Sequence, residues 1–138
     1  MPKISGRCLC GSVSYTSTAD SPAMVAACHC THCQRQSGTA FSMNVAVPAD
    51  SLSCDGDSLA TYQDTGSSGM PVLRSFCSKC GSPLFSDVKA IPGLLFLKAA
   101  TLDDASWVKP AAAIWGRSKQ PWASLEGVPE FAQNPPRA

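Results

Sequence analysis

The sequence predicts an all-β domain of short antiparallel strands held together by metal, and three observations predict it. Apolar and polar residues alternate with period two over short runs, most clearly where Phe41, Met43, Val45 and Val47 alternate with Ser42, Asn44 and Ala46. Eleven prolines and ten glycines break the chain into short elements with many turns. Seven of the eight cysteines fall into three tight clusters, Cys8 with Cys10, Cys28 with Cys30 and Cys33, and Cys77 with Cys80. No segment carries a long helical period.

In chain order, Val13 and Tyr15 alternate with Ser12, Ser14 and Thr16 as a strand leaving the first cysteine pair. Asp20-Ser21-Pro22 is a turn, and Met24 to Ala27 is a short apolar strand delivering Cys28. Thr31 to Ser37 suits one helical turn closed by Gly38. The strand from Phe41 to Val47 reads as half-buried and ends at Pro48. Two short strands are expected near Leu52 to Cys54 and Leu59 to Gln63, joined by Asp55-Gly56-Asp57. Asp64 to Pro71 reads as a Gly/Ser hairpin loop. Val72 to Phe76 leads into Cys77, and Leu84 to Val88 leaves the second pair. Leu94 to Ala99 reads as a strand buried on both faces. The expected domain spans residues 3–128 and the tail 129–138, with fraying from Asn134.

A chain of 138 residues reads as one domain, able to bury roughly 68% of its unfolded surface. With 44% hydrophobic and 15% charged residues, disorder is excluded as its class. No apolar run approaches the ~18 residues of a membrane helix. Met1 to Gly6 has no apolar stretch of a secretory signal, so a cytoplasmic location is expected. Eight oxidised cysteines would allow about 105 pairings, but in a reducing compartment clustered cysteines point to metal. Seven thiolates and two Zn²⁺ would shift the formal net charge from +1 to about −2. No basic stripe is present, which disfavours nucleic acid as a partner.

Cys77-x-x-Cys80-Gly81 has the spacing of a zinc knuckle, in which a tight turn brings two sulfurs to one ion. Cys8-x-Cys10-Gly11 is its natural other half. Residues i and i+2 of a regular strand stand roughly 6.7 Å apart, so this pair requires a bend, which Gly11 permits. Cys8, Cys10, Cys77 and Cys80 then form a closed structural zinc site; the alternative is a redox C-x-x-C. Cys28, Cys30 and Cys33 remain, and three protein ligands with an open fourth position are the pattern of a catalytic zinc. The alternative is a second closed site, with His29, His32 or Cys54 as fourth ligand. Three thiolates weaken the ion as an activator of water and favour a soft fourth ligand, such as a substrate thiol held as thiolate.

The cysteine pattern with its flanks resembles the glutathione-dependent formaldehyde-activating enzymes and their centromere protein V relatives. The matching pieces are Gly6-Arg7-Cys8-Leu9-Cys10-Gly11-Ser12-Val13, Cys28-His29-Cys30 through Cys33-Gln34-Arg35-Gln36-Ser37-Gly38, and Arg74-Ser75-Phe76-Cys77-Ser78-Lys79-Cys80-Gly81-Ser82. Lys98-Ala99-Ala100-Thr101-Leu102-Asp103-Asp104 and Ser118-Lys119-Gln120-Pro121-Trp122 match as well. The resemblance implies the small zinc-binding β-tent fold. It implies a structural zinc at Cys8, Cys10, Cys77 and Cys80 and a second zinc at Cys28, Cys30 and Cys33, through which those three residues would act in catalysis. The implied activity is carbon–sulfur lyase chemistry joining glutathione to formaldehyde as S-hydroxymethylglutathione. Many relatives carry a histidine where this chain has Ala113-Ile114-Trp115.

The expected partner is therefore a small glutathione-like thiol, with neither nucleic acid nor membrane involved. The alternative is a non-enzymatic zinc-binding module for a protein or other partner. His29 and His32 flank the open site, as neighbours able to relay a proton rather than as ligands. Asp103-Asp104 reads as a turn or cap, and Cys54 as a small buried hydrophobe. Arg35, Lys98, Arg117 and Lys119 read as solvated charges that could reach substrate carboxylates. Trp107, Trp115 and Trp122 read as core or rim packing.

Overall fold

The structure, a computed structural model, describes residues 3–134 and is all-β, with ten strands and one α-helix among those residues. Strands β1 (Ser5–Arg7), β2 (Ser14–Ser17) and β5 (Leu52–Asp55) form a small antiparallel sheet in the order β1-β2-β5. The other sheet has seven strands: β3 (Met24–Cys28), β4 (Ser42–Pro48), β6 (Leu59–Thr65), β7 (Pro71–Cys77), β8 (Pro83–Val88), β9 (Leu94–Lys98) and β10 (Ala112–Ile114). Its order is β10-β3-β4-β9-β8-β7-β6, antiparallel throughout except for the β10–β3 pair. Pro129 to Gln133 continue beside β10, with Phe131 N–H donating to Ala113 at 2.9 Å. The part of the expected tail beyond Asn134 lies outside the described residues.

Side chains alternate across a strand, so paired residues share a face. One face of the large sheet carries Val45, Val47 and Leu97, all fully buried. They form the core with Ile4, Val13 and Tyr15 from the small sheet side. The opposite face reads Tyr62, Arg74, Ser86, Phe96, Ala46 and Met24 in one register row from β6 to β3. The same face carries Asp64 on β6, two residues to one side of this row, and to the other side Lys98 on β9 and Asn44 on β4 at two residues and Ser42 on β4 and Cys28 on β3 at four. The sheet thus separates an apolar face, which builds the core, from a polar face, which leads to a cysteine cluster.

Several expectations are corrected. β4 is not half-buried, because it lies centrally between β3 and β9 and Ala46 is as buried as Val45 and Val47. Thr31–Ser37 forms a seven-residue α-helix, α1, rather than one turn. Gly38 ends it at φ 72°, with its N–H on the Gln34 carbonyl at 2.8 Å. The expected loop from Asp64 shrinks to Gly66–Met70, since β6 continues through Thr65 and β7 starts at Pro71. The hairpin itself is as expected. In β9, Phe96, Leu97 and Lys98 are buried, but Leu94 and Leu95 are only half-buried. Asp104 caps a turn through Ser106, and Asp103 accepts from Ser5 Oγ at 3.0 Å.

Candidate metal centres

The first centre is made by two matching turns. Gly11 N–H donates to the Cys8 carbonyl at 3.1 Å and Gly81 N–H to the Cys77 carbonyl at 2.7 Å. Both glycines sit at φ 79°, a left-handed conformation that other residues enter at a cost. The turns bring Cys8, Cys10, Cys77 and Cys80 together, with all four sulfurs within 4.8 Å of one another. Cys8 and Cys10 are 3.7 Å apart and Cys10 and Cys77 are 3.8 Å apart, sulfur to sulfur. A disulfide needs about 2.05 Å. Four sulfurs about 2.3 Å from one tetrahedral ion stand about 3.8 Å apart, so the donor set fits a single metal such as zinc.

Three serines surround this cluster. Ser12 Oγ lies 3.1 Å from Cys10 Sγ and 3.4 Å from Cys77 Sγ, Ser58 Oγ 3.3 Å from Cys77 Sγ, and Ser82 Oγ 3.2 Å from Cys80 Sγ. Hydrogen bonds from Ser12 and Ser58 pull the Cys77 thiol down to about 5, and those of Ser82 bring Cys80 to about 7. These hydroxyls favour thiolates, the form a metal binds.

The second centre sits where β3 meets α1. Cys28 is the last residue of β3, Cys30 is the N-cap of α1, and Cys33 lies in its first turn. The Cys33 N–H donates to Cys30 Sγ at 3.3 Å. A cysteine occupies the position where Ser, Thr, Asn or Asp usually caps a helix, so the segment that starts the helix also gathers the sulfurs. Their three sulfurs lie within 4.8 Å of one another. Among the described residues no histidine, carboxylate or fourth cysteine joins them.

The three candidate fourth ligands are placed elsewhere. His29 is 1% exposed, packs edge-on against Phe41 at 5.4 Å, and has neither ring nitrogen hydrogen-bonded. Burial pushes its pKa down. His32 Nδ1 lies 2.7 Å from Asp64 Oδ2. Cys54 is opposite Tyr15 in the small sheet and packs against the core, but it is only half-buried rather than buried as expected. Neither histidine joins the three sulfurs as a donor.

Two cations stand on the cluster side of the large sheet. Arg74, 6% exposed, directs Nη1 to Cys33 Sγ at 4.0 Å and Nε to Asp64 Oδ2 at 3.0 Å. Asp64 thereby links Arg74 to His32 through one oxygen. Burial raises the Asp64 carboxyl, but its hydrogen bonds with His32 and Arg74 outweigh that and hold it below the usual range. Lys98, expected to be solvated, is instead 7% exposed. Hydrogen bonding with Cys28 and Cys30 holds the Cys33 thiol far below its ordinary value, and the charges of Lys98 and Arg74 act in the same direction. The same sharing drives Cys28 up, so the cluster releases its protons unequally.

A cleft of about 390 Å³ is lined by His32, Arg35, Gln36, Tyr62, Asp64 and Arg74, and by none of the three cysteines. Gln36 Oε1 is buried without a hydrogen-bond partner. Of the other cations weighed, Arg117 is exposed and Lys119 pairs with Glu130 at 3.0 Å. Trp122 is 70% exposed rather than packed. The element behind the cluster is the late segment. Gln34 Nε2 donates to the carbonyls of His29 at 2.7 Å and Ser118 at 2.9 Å, and Gln120 Nε2 donates to Gln34 Oε1 at 2.7 Å. Asp64, Tyr62, Ser42 and Asn44 were not singled out from sequence, and Arg74 only as part of a motif. The one signal is an arginine inside a mostly apolar strand.

No helix among the described residues is long and apolar enough to cross a membrane. A protein of Podospora anserina, provisionally named a glutathione-dependent formaldehyde-activating enzyme, is 33% identical over 114 residues, covering 78% of this chain and 51% of the relative. This chain therefore spans about half the length of that relative. A Halomonas elongata protein with the same provisional name is 25% identical over 127 residues, covering 89% of this chain and 81% of its own. The fold is shared with a crystal structure of a Rhodobacter sphaeroides protein, with a TM-score of 0.61, 22% identity, and coverage of 92% of this chain and 99% of the other. Residues 3–118 match the glutathione-dependent formaldehyde-activating enzyme family, from the first cysteine pair through the late Ser118 that buttresses the second centre, and the chain belongs to that family.

Proposed function

We propose that this protein is a zinc-dependent carbon–sulfur lyase that joins a small thiol, glutathione in the first instance, to an aldehyde such as formaldehyde. The observation that carries this reading is the second centre: three converging cysteines with no fourth protein ligand among the described residues, beside a buried arginine that itself lines a cleft. Family membership supports the choice of thiol and aldehyde. The closed Cys8, Cys10, Cys77 and Cys80 centre holds the fold, tying the N-terminus to the β7–β8 connection.

The addition balances without an oxidant. The thiol gives up its proton, its sulfur forms a bond to the carbonyl carbon, and the carbon–oxygen π pair becomes an alkoxide that takes up a proton. Cys28, Cys30 and Cys33 would hold zinc, which supplies a soft position that favours a thiolate. Arg74 is placed to stabilise negative charge near sulfur, and Asp64 fixes its orientation. His32, at the rim of the cleft, is placed to exchange the proton with solvent. Arg35, exposed on the lining of the cleft, offers a cation to the carboxylates of a peptide thiol.

Metal content and aldehyde consumption with a panel of thiols, compared between wild type and Cys30→Ser, test the reading. Wild type should hold two zinc ions and consume aldehyde only with thiol; Cys30→Ser should hold one and consume none. Wild type with both metals and no thiol-dependent turnover would sink it.

A further inference from the structure

Lys98 is the buried cation to which this reaction assigns no task. It is the last residue of β9, and its Nζ donates to Ser42 Oγ at 2.8 Å and Asn44 Oδ1 at 3.2 Å. Both acceptors are neutral, and none of the ion pairs among the described residues includes Lys98. The strand register shows where the ammonium is carried. Asn44 is opposite Lys98, and Ser42 is opposite Cys28. By reaching past its own partner to Ser42, the side chain moves along β4 toward the cysteine cluster. An ammonium has three donors, and the hydrogen bonds to Ser42 and Asn44 use two of them.

Burial works against the Lys98 charge, and so does Arg74; the sulfurs of Cys33, Cys28 and Cys30 work for it. Two like charges kept out of water beside one cluster need negative charge between them. Three thiolates on a divalent ion leave a charge of −1. Arg74 shares its charge with Asp64, whereas Lys98 has no carboxylate. A neutral fourth ligand would leave the centre at −1; a thiolate would take it to −2 in a largely buried place. That second negative charge is tolerable only beside an uncommitted cation.

We propose that Lys98 is a specificity-determining residue, making the Cys28, Cys30 and Cys33 centre a receptor for an anionic fourth ligand, a thiolate, over a neutral one. The inference rests on the reading above that a thiol is the ligand, and it assigns the selection to a residue that touches neither the cleft nor the sulfurs.

Cobalt-loaded protein reports the fourth ligand by its absorption bands. Glutathione and 2-mercaptoethanol serve as anionic probes, the second carrying no carboxylate, and imidazole as the neutral probe. Lys98→Met should weaken both thiols by about tenfold and leave imidazole within about threefold, with Lys98→Arg recovering most of the loss. Asn44→Asp places a carboxylate beside Nζ without removing it, and should weaken both thiols in the same way; it carries the test if Lys98→Met does not hold cobalt. Equal weakening of thiols and imidazole, or unchanged thiol affinity in Asn44→Asp, overturns the inference and leaves the lyase reading intact. Loss of glutathione alone, with 2-mercaptoethanol unaffected, assigns Lys98 to a carboxylate and overturns it too. Wild type that binds no thiol overturns both.

Discussion

Arg74 and Cys33 are 41 residues apart in the chain, yet Nη1 of one lies 4.0 Å from Sγ of the other. The contact depends on Asp64, which accepts from Arg74 Nε at 3.0 Å and takes up one side of the guanidinium. Arginine presents its donors in a rigid fork, so fixing Nε fixes the direction of Nη1. Asp64→Asn should therefore keep both metals while reducing thiol-dependent turnover about tenfold. Removing the carboxylate from a buried guanidinium should also cost about 2 kcal/mol of stability. Metal analysis, steady-state kinetics and thermal unfolding on one preparation check this; unchanged turnover would remove Asp64 from the site.

The two cysteine centres should fail differently. Cys77 is fully buried within the core, and its centre joins the chain across 69 residues, from Cys8 to Cys77. Cys77→Ser should lose cooperative unfolding, because structural zinc binding is itself folding energy of about 10–16 kcal/mol. Cys30→Ser, at a half-buried helix cap, should stay folded with one metal fewer. A chelator titration followed by circular dichroism and metal release would separate the two, with the Cys28, Cys30 and Cys33 metal leaving first.

Gly11 and Gly81 allow a test of turn strain without steric clash. A Cβ at either would meet nothing within 4 Å, so any cost of Gly11→Ala or Gly81→Ala is that of the positive φ. Each should destabilise by about 1 kcal/mol and weaken zinc at this centre severalfold. Competition with a chromophoric chelator measures the second effect. Equal metal affinity in the variants would show that the turns tolerate a side chain.

Tyr15 gives a pH signature remote from either metal. Burial raises its hydroxyl to about 12, against the opposing hydrogen bond with Thr101 Oγ1 at 2.7 Å. Between its unfolded value near 10 and its folded value, the native state keeps a proton that the unfolded chain has lost. Stability is thus fully present below pH 10 and falls as pH rises to 12, by about 3 kcal/mol at most. Tyr15→Phe should flatten that fall while costing about 1 kcal/mol at neutral pH for the lost hydrogen bond. Urea unfolding at pH 8, 10 and 11.5 provides the comparison.

How much was legible follows from how local each signal is. Cysteine spacing is a short-range constraint, and it partitioned seven thiols into a group of four and a group of three, as the structure places them. Period-two alternation located most strands for the same reason. It misjudged Ala46, because burial of the second face depends on neighbouring strands. Seven residues are too few to signal a full helix by periodicity, and the cap is a cysteine rather than one of the usual capping residues.

Lys98 marks the boundary between sequence and tertiary structure. By itself the sequence determined the all-β class, the two sets of sulfur donors and the family, since those depend on residue type and spacing along the chain. Only the tertiary structure decided that Lys98 is buried, that Asp64 orients Arg74, and that His29, His32 and Cys54 stand apart from the cluster of three. Charge placement is a property of strand register. Cys28, Ser42, Asn44 and Lys98 meet on one face because β3, β4 and β9 pair in that order, and no local pattern encodes which distant strand becomes a neighbour.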